Sequence, residues 1–299
     1  MLVTVGIPTY KRIDGLKRAL DSILNQTHRE LEVIISNDNS PEPLLNELIE
    51  TYAQRDSRIK YFHQKQSLRT VANFSFVKDH ALGKYFLWVA DDDWLDSDYI
   101  EKCVHFLENN PTYAITAGTC FYHKDVQTIL HQNSNFSIEN QGYTARMFRF
   151  FRTVTLNGYY YGVMRTDLAK QFHMPNQLGF DWNIVAFMCF KGKLKTLDNT
   201  GNHISQGGMS NEGTALSRYF DQKGFLAENF IGLRTSLNCA GNIFNAGVYD
   251  LSVVRKLWLS LIIFVASYSH IFSWDVILLK RRIVKTLKLN GNGVLIRKS

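Results

Sequence analysis

Cysteine is scarce in this chain, and the cysteines that occur lie far apart. Cys103, Cys120, Cys189 and Cys239 form no pair at the spacing of a metal-ligand set or a redox dithiol. We therefore expect four reduced core thiols, as is usual in a cytosolic protein. An export signal is also missing, because residues 1–7 read directly as a strand. Both absences predict a cytoplasmic location.

Glycine-rich phosphate loops are a second absence. The sequence contains neither the dinucleotide-binding fingerprint nor the P-loop of nucleoside triphosphatases. A nucleotide ligand must therefore be held by other groups.

Acidic residues are almost missing from the last part of the chain. Residues 251–299 contain nine basic residues and one acid, Asp275, so this segment carries a charge of +8. The net charge of the whole chain is +7, which leaves the first 250 residues at −1. No nucleic-acid-binding motif accompanies the basic tail, so nucleic acid is not the expected partner.

Strand and helix patterns alternate along the first part of the chain. Strands are predicted at residues 3–7, 31–36, 59–62, 84–90 and 114–122, with helices at residues 16–24, 44–52, 70–81 and 100–107 between them. This alternation predicts an α/β fold in which helices flank a mostly parallel central sheet. Ligands of such sheets bind beyond the carboxyl ends of the strands.

The most informative stretch is residues 83–93, where a continuous apolar run ends in three acids, Asp91, Asp92 and Asp93. The apolar run is typical of a strand buried on both faces. Burying three adjacent carboxylates would cost several kcal/mol each without compensation. We therefore expect the acids at an open cleft that holds a hard divalent ion.

Three segments in this order, residues 5–12, 32–40 and 83–93, resemble the inverting glycosyltransferases of family 2, which have the GT-A fold. This class includes many bacterial cell-surface polysaccharide transferases. The resemblance covers about residues 1–215 and implies a Rossmann-like, nucleotide-binding architecture.

The resemblance implies a set of residues that bind a nucleotide-sugar donor, expected to be a UDP-sugar. The set comprises Pro8, Thr9, Tyr10, Arg12, Asp38, Arg69, Asn73 and Asp91. Tyr10 offers a flat apolar surface to a base, and Asp38 an acceptor for its ring N–H. The simpler alternatives are a loop aromatic for Tyr10 and a turn residue for Asp38. Arg12 and Arg69 could equally be solvated surface charges.

The resemblance also assigns metal ligands. Ala90 stands where the family commonly has its first acid, so Asp92 is expected to bridge Mn²⁺ or Mg²⁺ to the diphosphate, with Asp93 assisting. His203 lies where many relatives carry a histidine that ligates the metal or closes over the diphosphate. A structural role for His203 is an equal alternative.

The acceptor side carries the predicted general base, Asp181. Residues 157–165 resemble the acceptor-side segment that precedes it, and Phe180 replaces the usual glutamate before it. One carboxylate would take the proton of the acceptor hydroxyl while the metal stabilises the leaving nucleoside diphosphate. The alternative for Asp181 is a helix N-cap.

The C-terminal tail is predicted to be helical. Residues 257–274 are uncharged, and basic residues flank both ends of this run. An apolar side comprises Val276, Leu279, Ile283, Val284 and Leu287, and a basic side comprises Arg281, Lys285 and Lys288. The pattern fits an interfacial helix on anionic lipid and an oligomerisation helix about equally.

The sequence therefore predicts a GT-A domain at 1–215, with a nucleotide-binding half at 1–120 and an acceptor half at 121–215, and a helical region at 216–299. The predicted activity is metal-dependent, inverting hexosyl transfer to a hydroxyl of a glycan, lipid-linked or protein-linked acceptor in bacterial surface glycan synthesis. The expected location is the cytoplasm, with peripheral attachment at the inner face of the cell membrane. The alternative is a non-catalytic, nucleotide-sugar-binding scaffold subunit, which the departures from the common family pattern at Asn37, Ala90 and Phe180 leave open.

Overall fold

A curled central sheet organises the protein. The computed structural model describes residues 1–133, 136–205, 220 and 230–292. The strands are β1 (Val3–Thr9), β2 (Leu31–Asn37), β3 (Ile59–His63), β4 (Tyr85–Trp88), β5 (Trp94–Leu95), β6 (Tyr113–Asp125), β7 (Thr128–Asn133), β8 (Val163–Arg165) and β9 (Lys193–Ser205). Their order is β3-β2-β1-β4-β8-β6-β9-β5, and β7 pairs with β6.

Helices cover the faces of this sheet. They are α1 (Ile13–Leu24), α2 (Pro43–Arg55), α3 (Thr70–Asp79), α4 (Tyr99–Asn109), α5 (Tyr143–Thr153), α6 (Thr166–Gln171), α7 (Phe180–Lys191), α8 (Ile231–Asn245) and α9 (Val253–Asn292), with a 3-10 turn at Gly158–Tyr161. The elements predicted for the first 122 residues are present, with bounds shifted by a few residues.

Parallel pairing is confined to two parts of the sheet. β3, β2, β1 and β4 are mutually parallel, and so are β6 and β9. The short strand β8 pairs antiparallel to both β4 and β6 between these parts. The expectation of a mostly parallel sheet therefore holds for the predicted nucleotide-binding half. In the middle of the sheet, β8 runs antiparallel to both of its neighbours.

The register of the parallel strands fixes where the candidate site lies. Thr9 pairs with Asn37, and Gly6 pairs with Trp88, so β1, β2 and β4 end at the same edge of the sheet. β1 and β2 are buried along their whole length, which explains why both are rich in valine and isoleucine. The segments that follow these three strands consequently meet at one edge.

Two apolar cores hold the helices against the sheet. On one face, Leu16 and Leu20 of α1 and Ile100 of α4 pack with Val5 and Ile7 of β1. On the other face, α5, α7 and α9 contribute to a second core that also includes Phe86 and Trp88 of β4. The strand that leads to the acids is therefore covered on both sides, as its apolar sequence predicts.

The described part of the C-terminal region is helical, as expected. Buried Asp275 of α9 accepts the backbone N–H groups of Gly232 and Leu233, at 2.7 and 2.9 Å, and so caps the first turn of α8. By length and composition, Val253–Lys280 of α9 could span a membrane. The predicted boundary at residues 215 and 216, and the side chains of the predicted basic side, lie outside the described residues.

Candidate active site

Asp91 is held directly beyond β4 by the end of β1. Its Oδ2 accepts the hydroxyl of Thr9 at 2.8 Å and the backbone N–H of Tyr10 at 3.1 Å. Burial raises the pKa of Asp91 to about 6, and the guanidinium of Arg12 opposes this shift. The predicted donor residues Thr9 and Asp91 therefore form one hydrogen-bonded unit.

Asp92 lies between two arginines of the opening segment. Its carboxylate accepts a hydrogen bond from Arg12, whose guanidinium also lies 3.6 Å from Asp91. Its backbone carbonyl accepts a hydrogen bond of 2.7 Å from Arg18. Burial nevertheless raises the pKa of Asp92 above its usual value. Arg12 thus lies against the predicted metal ligand, where it could also reach a diphosphate.

Asp93 is almost completely buried. Its Oδ1 accepts the backbone N–H of Ser205, at the end of β9, at 2.9 Å. Burial, and then the charge of Asp92, raise the pKa of Asp93 well above its usual range. Burial therefore favours the protonated form of Asp93 unless a cation lies beside it.

The chemistry of this donor set fits a divalent ion that is partly coordinated by its substrate. Within the described residues, no three His, Cys, Asp or Glu side chains form a complete metal cluster. Mg²⁺ accepts one or two carboxylates together with phosphate oxygens and water. Asp92 and Asp93 can supply the carboxylates, so such an ion is compatible with this site when a diphosphate completes the coordination.

Gly15 allows α1 to lie directly against the triplet. A Cβ atom on Gly15 would lie 2.5 Å from the carbonyl oxygen of Asp91 and 3.0 Å from the Cα of Asp92. Any larger residue would displace one of the two segments. Sequence reasoning missed Gly15, because an isolated glycine in a helix pattern gives no sign of its long-range neighbour.

Asp38 and Asn73 are engaged with the protein at the end of β2. The carboxylate of Asp38 accepts hydrogen bonds from the hydroxyl of Ser67, at 2.8 Å, and the N–H of Leu68. The amide of Asn73 donates to the carbonyl of Ser36 and accepts from its hydroxyl. Each oxygen of Asp38 keeps a second lone pair, so Asp38 can still accept a ring N–H. Through these two hydrogen bonds, Asn73 joins α3 to β2.

Pro8, Tyr10 and Arg69 frame the same edge. Pro8 lies opposite Ser36 in the β1–β2 pairing. Tyr10, just beyond β1, is 46% exposed, which leaves its ring accessible to a base. Arg69 lies at the N-cap of α3 with a positive φ of 67°. Of the three, Tyr10 has an accessible side chain, whereas Pro8 is buried within β1.

Asp181 lies in the first turn of α7. Gly179 occupies the N-cap position, with a φ of 81°, so the alternative role of Asp181 as the N-cap is wrong. The amide of Asn157 donates a hydrogen bond of 3.0 Å to Asp181 Oδ2. Burial raises the pKa of Asp181, and the bond from Asn157 opposes this shift. A carboxylate with a raised pKa is suited to accept a proton near neutral pH.

Tyr161 connects the two halves of the site. It ends the 3-10 turn that follows Asn157. Burial raises the pKa of Tyr161 well above its usual range, and the charges of Asp93, Asp92 and Asp181 raise it further. The charges of the acid triplet and of the predicted base therefore both affect the pKa of Tyr161. Sequence reasoning did not select Tyr161, because nothing distinguishes it from Tyr159 and Tyr160 beside it.

His203 of β9 is held in a different arrangement from the one expected of a metal ligand. Its ring lies between Trp94 and Phe121, with centroids at 5.1 and 5.0 Å. Its Nε2 bonds to Asp96 at 3.0 Å and its Nδ1 to His123 at 2.9 Å. Both ring nitrogens therefore have protein partners, and the structure brings His203 to Asp96 and not to Asp92.

Solved structures with the same fold include two glycosyltransferases. Residues 1–349 of S. aureus TarS, solved in complex with UDP-GlcNAc, match with a TM-score of 0.65 and 15% identity over 90% of this chain and 73% of that chain. Mannosyltransferase PcManGT from Pyrobaculum calidifontis, solved with GDP-Man and Mn²⁺, matches with a TM-score of 0.53 and 14% identity over 95% of this chain and 80% of that chain. These similarities establish the predicted GT-A fold.

Sequence relatives are bacterial. An uncharacterized glycosyltransferase of Rickettsia bellii is 38% identical over 108 residues, which are 36% of this chain and 15% of the relative. The GalNAc(5)-diNAcBac-PP-undecaprenol beta-1,3-glucosyltransferase of Campylobacter jejuni is 32% identical over 124 residues, 41% of this chain and 39% of the relative. The alignments thus span less than half of either relative.

The family model supplies the broadest match. The model of glycosyl transferase family 2 matches residues 4–172, which include β1, the acid triplet and the turn that carries Tyr161. The match covers more than half of the chain, and this protein belongs to glycosyl transferase family 2.

Proposed function

We propose that this protein is a metal-dependent inverting glycosyltransferase that moves a hexosyl group from a UDP-sugar to a hydroxyl of a glycan or lipid-linked acceptor. The observation that carries the proposal is that Tyr161 lies near enough to Asp92, Asp93 and Asp181 for their charges to add to the rise that burial causes in its pKa. A leaving group and a general base must both reach the anomeric carbon, and this arrangement supports that requirement.

Asp92 and Asp93 serve the leaving-group side. Their carboxylates would hold Mn²⁺ or Mg²⁺ together with the donor diphosphate. The bound ion supplies positive charge to the nucleoside diphosphate as it departs. Arg12 bonds to Asp92 and is placed to turn its guanidinium to a phosphate instead, because guanidinium groups bind carboxylate and phosphate in the same geometry. Asp91 and Thr9 orient the nucleotide.

Asp181 serves the acceptor side. Its carboxylate takes the proton of the attacking hydroxyl, and Asn157 orients it through the bond to Oδ2. Because burial raises the pKa of Asp181, its affinity for that proton exceeds that of an ordinary aspartate. Attack opposite the leaving diphosphate then inverts the anomeric configuration.

A uridine donor is supported by two side chains at the sheet edge. The exposed ring of Tyr10 can stack on a base, and Asp38 keeps lone pairs for a ring N–H. TarS, which shares the fold, was solved with UDP-GlcNAc. The Campylobacter relative is named for transfer to an undecaprenol-linked glycan, which supports a lipid-linked acceptor.

Two departures from the common family pattern have structural explanations. Asn37 donates to Asn46 and accepts from the N–H of Ser40, so it shapes the turn after β2. Phe180 packs edge-on against Tyr160 in an aromatic cluster. Neither departure requires the loss of catalysis, which weakens the scaffold alternative.

Two variants test the proposal, Asp92→Asn and Asp181→Asn. Calorimetry with UDP-sugars and Mn²⁺ should show weakened donor binding for the first and unchanged donor binding for the second. Both should lose turnover by at least about a hundredfold, the usual contribution of a general acid or base. Wild-type protein that binds donor but transfers to no acceptor and hydrolyses none of the donor would instead support the scaffold function.

A further inference from the structure

The outward face of α9 is apolar and exposed. Its inward side chains, which include Leu259, Ile263 and Ile271, are buried against the rest of the protein. Within Val253–Lys280, the apolar side chains that are at least half exposed are Val253, Val254, Leu257, Trp258, Leu261, Val265 and Phe272. Successive members are one, three, four or seven residues apart, which keeps them within about 140° of the circumference of a helix with 3.6 residues per turn. They therefore form one stripe, which we call the outer stripe. Exposed apolar surface of this extent typically marks an interaction site.

The inward face fixes α9 to the folded domain. Asp275 bonds to the start of α8, and the ring of Trp274 lies 6.4 Å from Trp182 of α7. His270 bonds to the carbonyl of Val154 at 2.7 Å. Because these side chains of α9 are packed against the folded domain, α9 cannot be surrounded by lipid while the domain stays folded. Its outer stripe can, however, lie against a flat surface.

Positive charge flanks the outer stripe at both ends. Exposed Arg255 lies at its beginning, and exposed Lys280 lies beyond its end, followed in sequence by Arg281 and Arg282. Half-buried Lys256 donates a hydrogen bond of 3.3 Å to the carbonyl of Ala246. The segment from residue 251 onward carries +8, whereas the rest of the chain carries −1. The partner that fits is therefore both apolar and anionic.

We propose that the outer stripe docks the protein on the surface of an anionic phospholipid bilayer, with the stripe inserted at the headgroup boundary and the flanking lysines and arginines on the lipid phosphates. Charge favours this partner over a second copy of the chain. In a two-fold pair of α9 helices, basic ends would meet basic ends whether the helices ran parallel or antiparallel. A bilayer rich in phosphatidylglycerol instead supplies acyl chains and negative charge together.

Vesicle co-sedimentation tests this inference without any requirement for transferase activity. The wild-type protein should bind vesicles of phosphatidylcholine with phosphatidylglycerol more tightly than vesicles of phosphatidylcholine alone, and high salt should weaken the binding. Leu261→Ser combined with Val265→Ser should lower the partition coefficient on anionic vesicles by at least about tenfold, because two apolar side chains are lost from the stripe.

A charge variant and a matched control complete the test. Arg255→Gln with Lys280→Gln should lower binding to anionic vesicles by about twenty-five-fold, since each basic residue near the surface contributes about fivefold. Binding to neutral vesicles should be unchanged. The control, Leu44→Ser with Leu82→Ser, removes two leucines that are as exposed as the stripe residues, at 61% and 68%, but lie in the predicted nucleotide-binding half. It should change binding to neither anionic nor neutral vesicles.

Two outcomes would overturn the inference. One is equal binding of wild-type and stripe variant to anionic vesicles. The other is an absence of vesicle binding together with a wild-type dimer, measured by light scattering, that the stripe variant converts to monomer. The latter result would assign the stripe to self-association.

Discussion

Replacing Asn157 with alanine should move the pH dependence of catalysis in a defined direction. Asn157 donates a hydrogen bond of 3.0 Å to Asp181, and this bond lowers the pKa that burial raises. A hydrogen bond to a charged group contributes about 1.5–3 kcal/mol. Its loss should raise the pKa of Asp181 further and, at pH values below that pKa, should lower kcat/KM by about ten- to a hundredfold, at 1.36 kcal/mol for each factor of ten.

The measurement is kcat/KM as a function of pH, which reports the ionisation of groups in the free enzyme. A general base works only when it is deprotonated, so activity falls as the pH drops through its pKa. In Asn157→Ala, the acidic limb of the profile should therefore begin at higher pH, and kcat/KM should approach the wild-type value where Asp181 is ionised in both proteins.

A nearby variant controls for nonspecific effects. Thr155→Ala changes an exposed residue of the same segment, for which the structure shows no contact with Asp181, and should leave the profile unchanged. An acidic limb at the wild-type position in Asn157→Ala, or a loss of activity equal at every pH, would refute the assignment of Asn157 and Asp181.

Two further variants test contacts that only the fold reveals. Gly15→Ala should weaken Mn²⁺-dependent donor binding by at least about tenfold in calorimetry, because a methyl group 2.5 Å from the carbonyl of Asp91 must displace the triplet. The control is Gly241→Ala, whose added methyl group meets open space and which should bind donor normally. Equal donor affinities of the two variants would contradict this reasoning. Asp275→Ala leaves two N–H groups of α8 without their acceptor, one of them buried, and should lower the free energy of unfolding in urea by about 2–4 kcal/mol. The exposed Asp250→Ala should change it by less than about 0.5 kcal/mol, and an equal loss in both variants would contradict the capping role.

The nucleotide-binding half of the fold could be predicted from sequence because its signals are local. β1 and β2 are short stretches rich in valine and isoleucine, and the apolar residues of the segment between them recur at helical spacing. Strand β8 was not predicted, since three residues are too few to establish a period. Its antiparallel pairing with β4 depends on contacts between segments about 80 residues apart.

The sequence predicts which residues form the candidate site but not which contacts they make. The sequence identifies Asp91, Asp92 and Asp181 by type and position, and these remain the central assignments. It does not show that Arg12 bonds to Asp92, because that contact joins residues 80 positions apart. The environment of His203 likewise depends on the register of β9 against β5 and β6, which no local pattern specifies.

The product's stereochemistry tests the central claim most directly. In the proposed in-line displacement between Asp92 and Asp181, an α-linked UDP-sugar must yield a β-linked product in a single step. Proton NMR of the first product formed distinguishes the two anomers by the coupling of the anomeric proton, before any change can occur in solution. A β-linked product is the expected result, and an α-linked product would contradict the account.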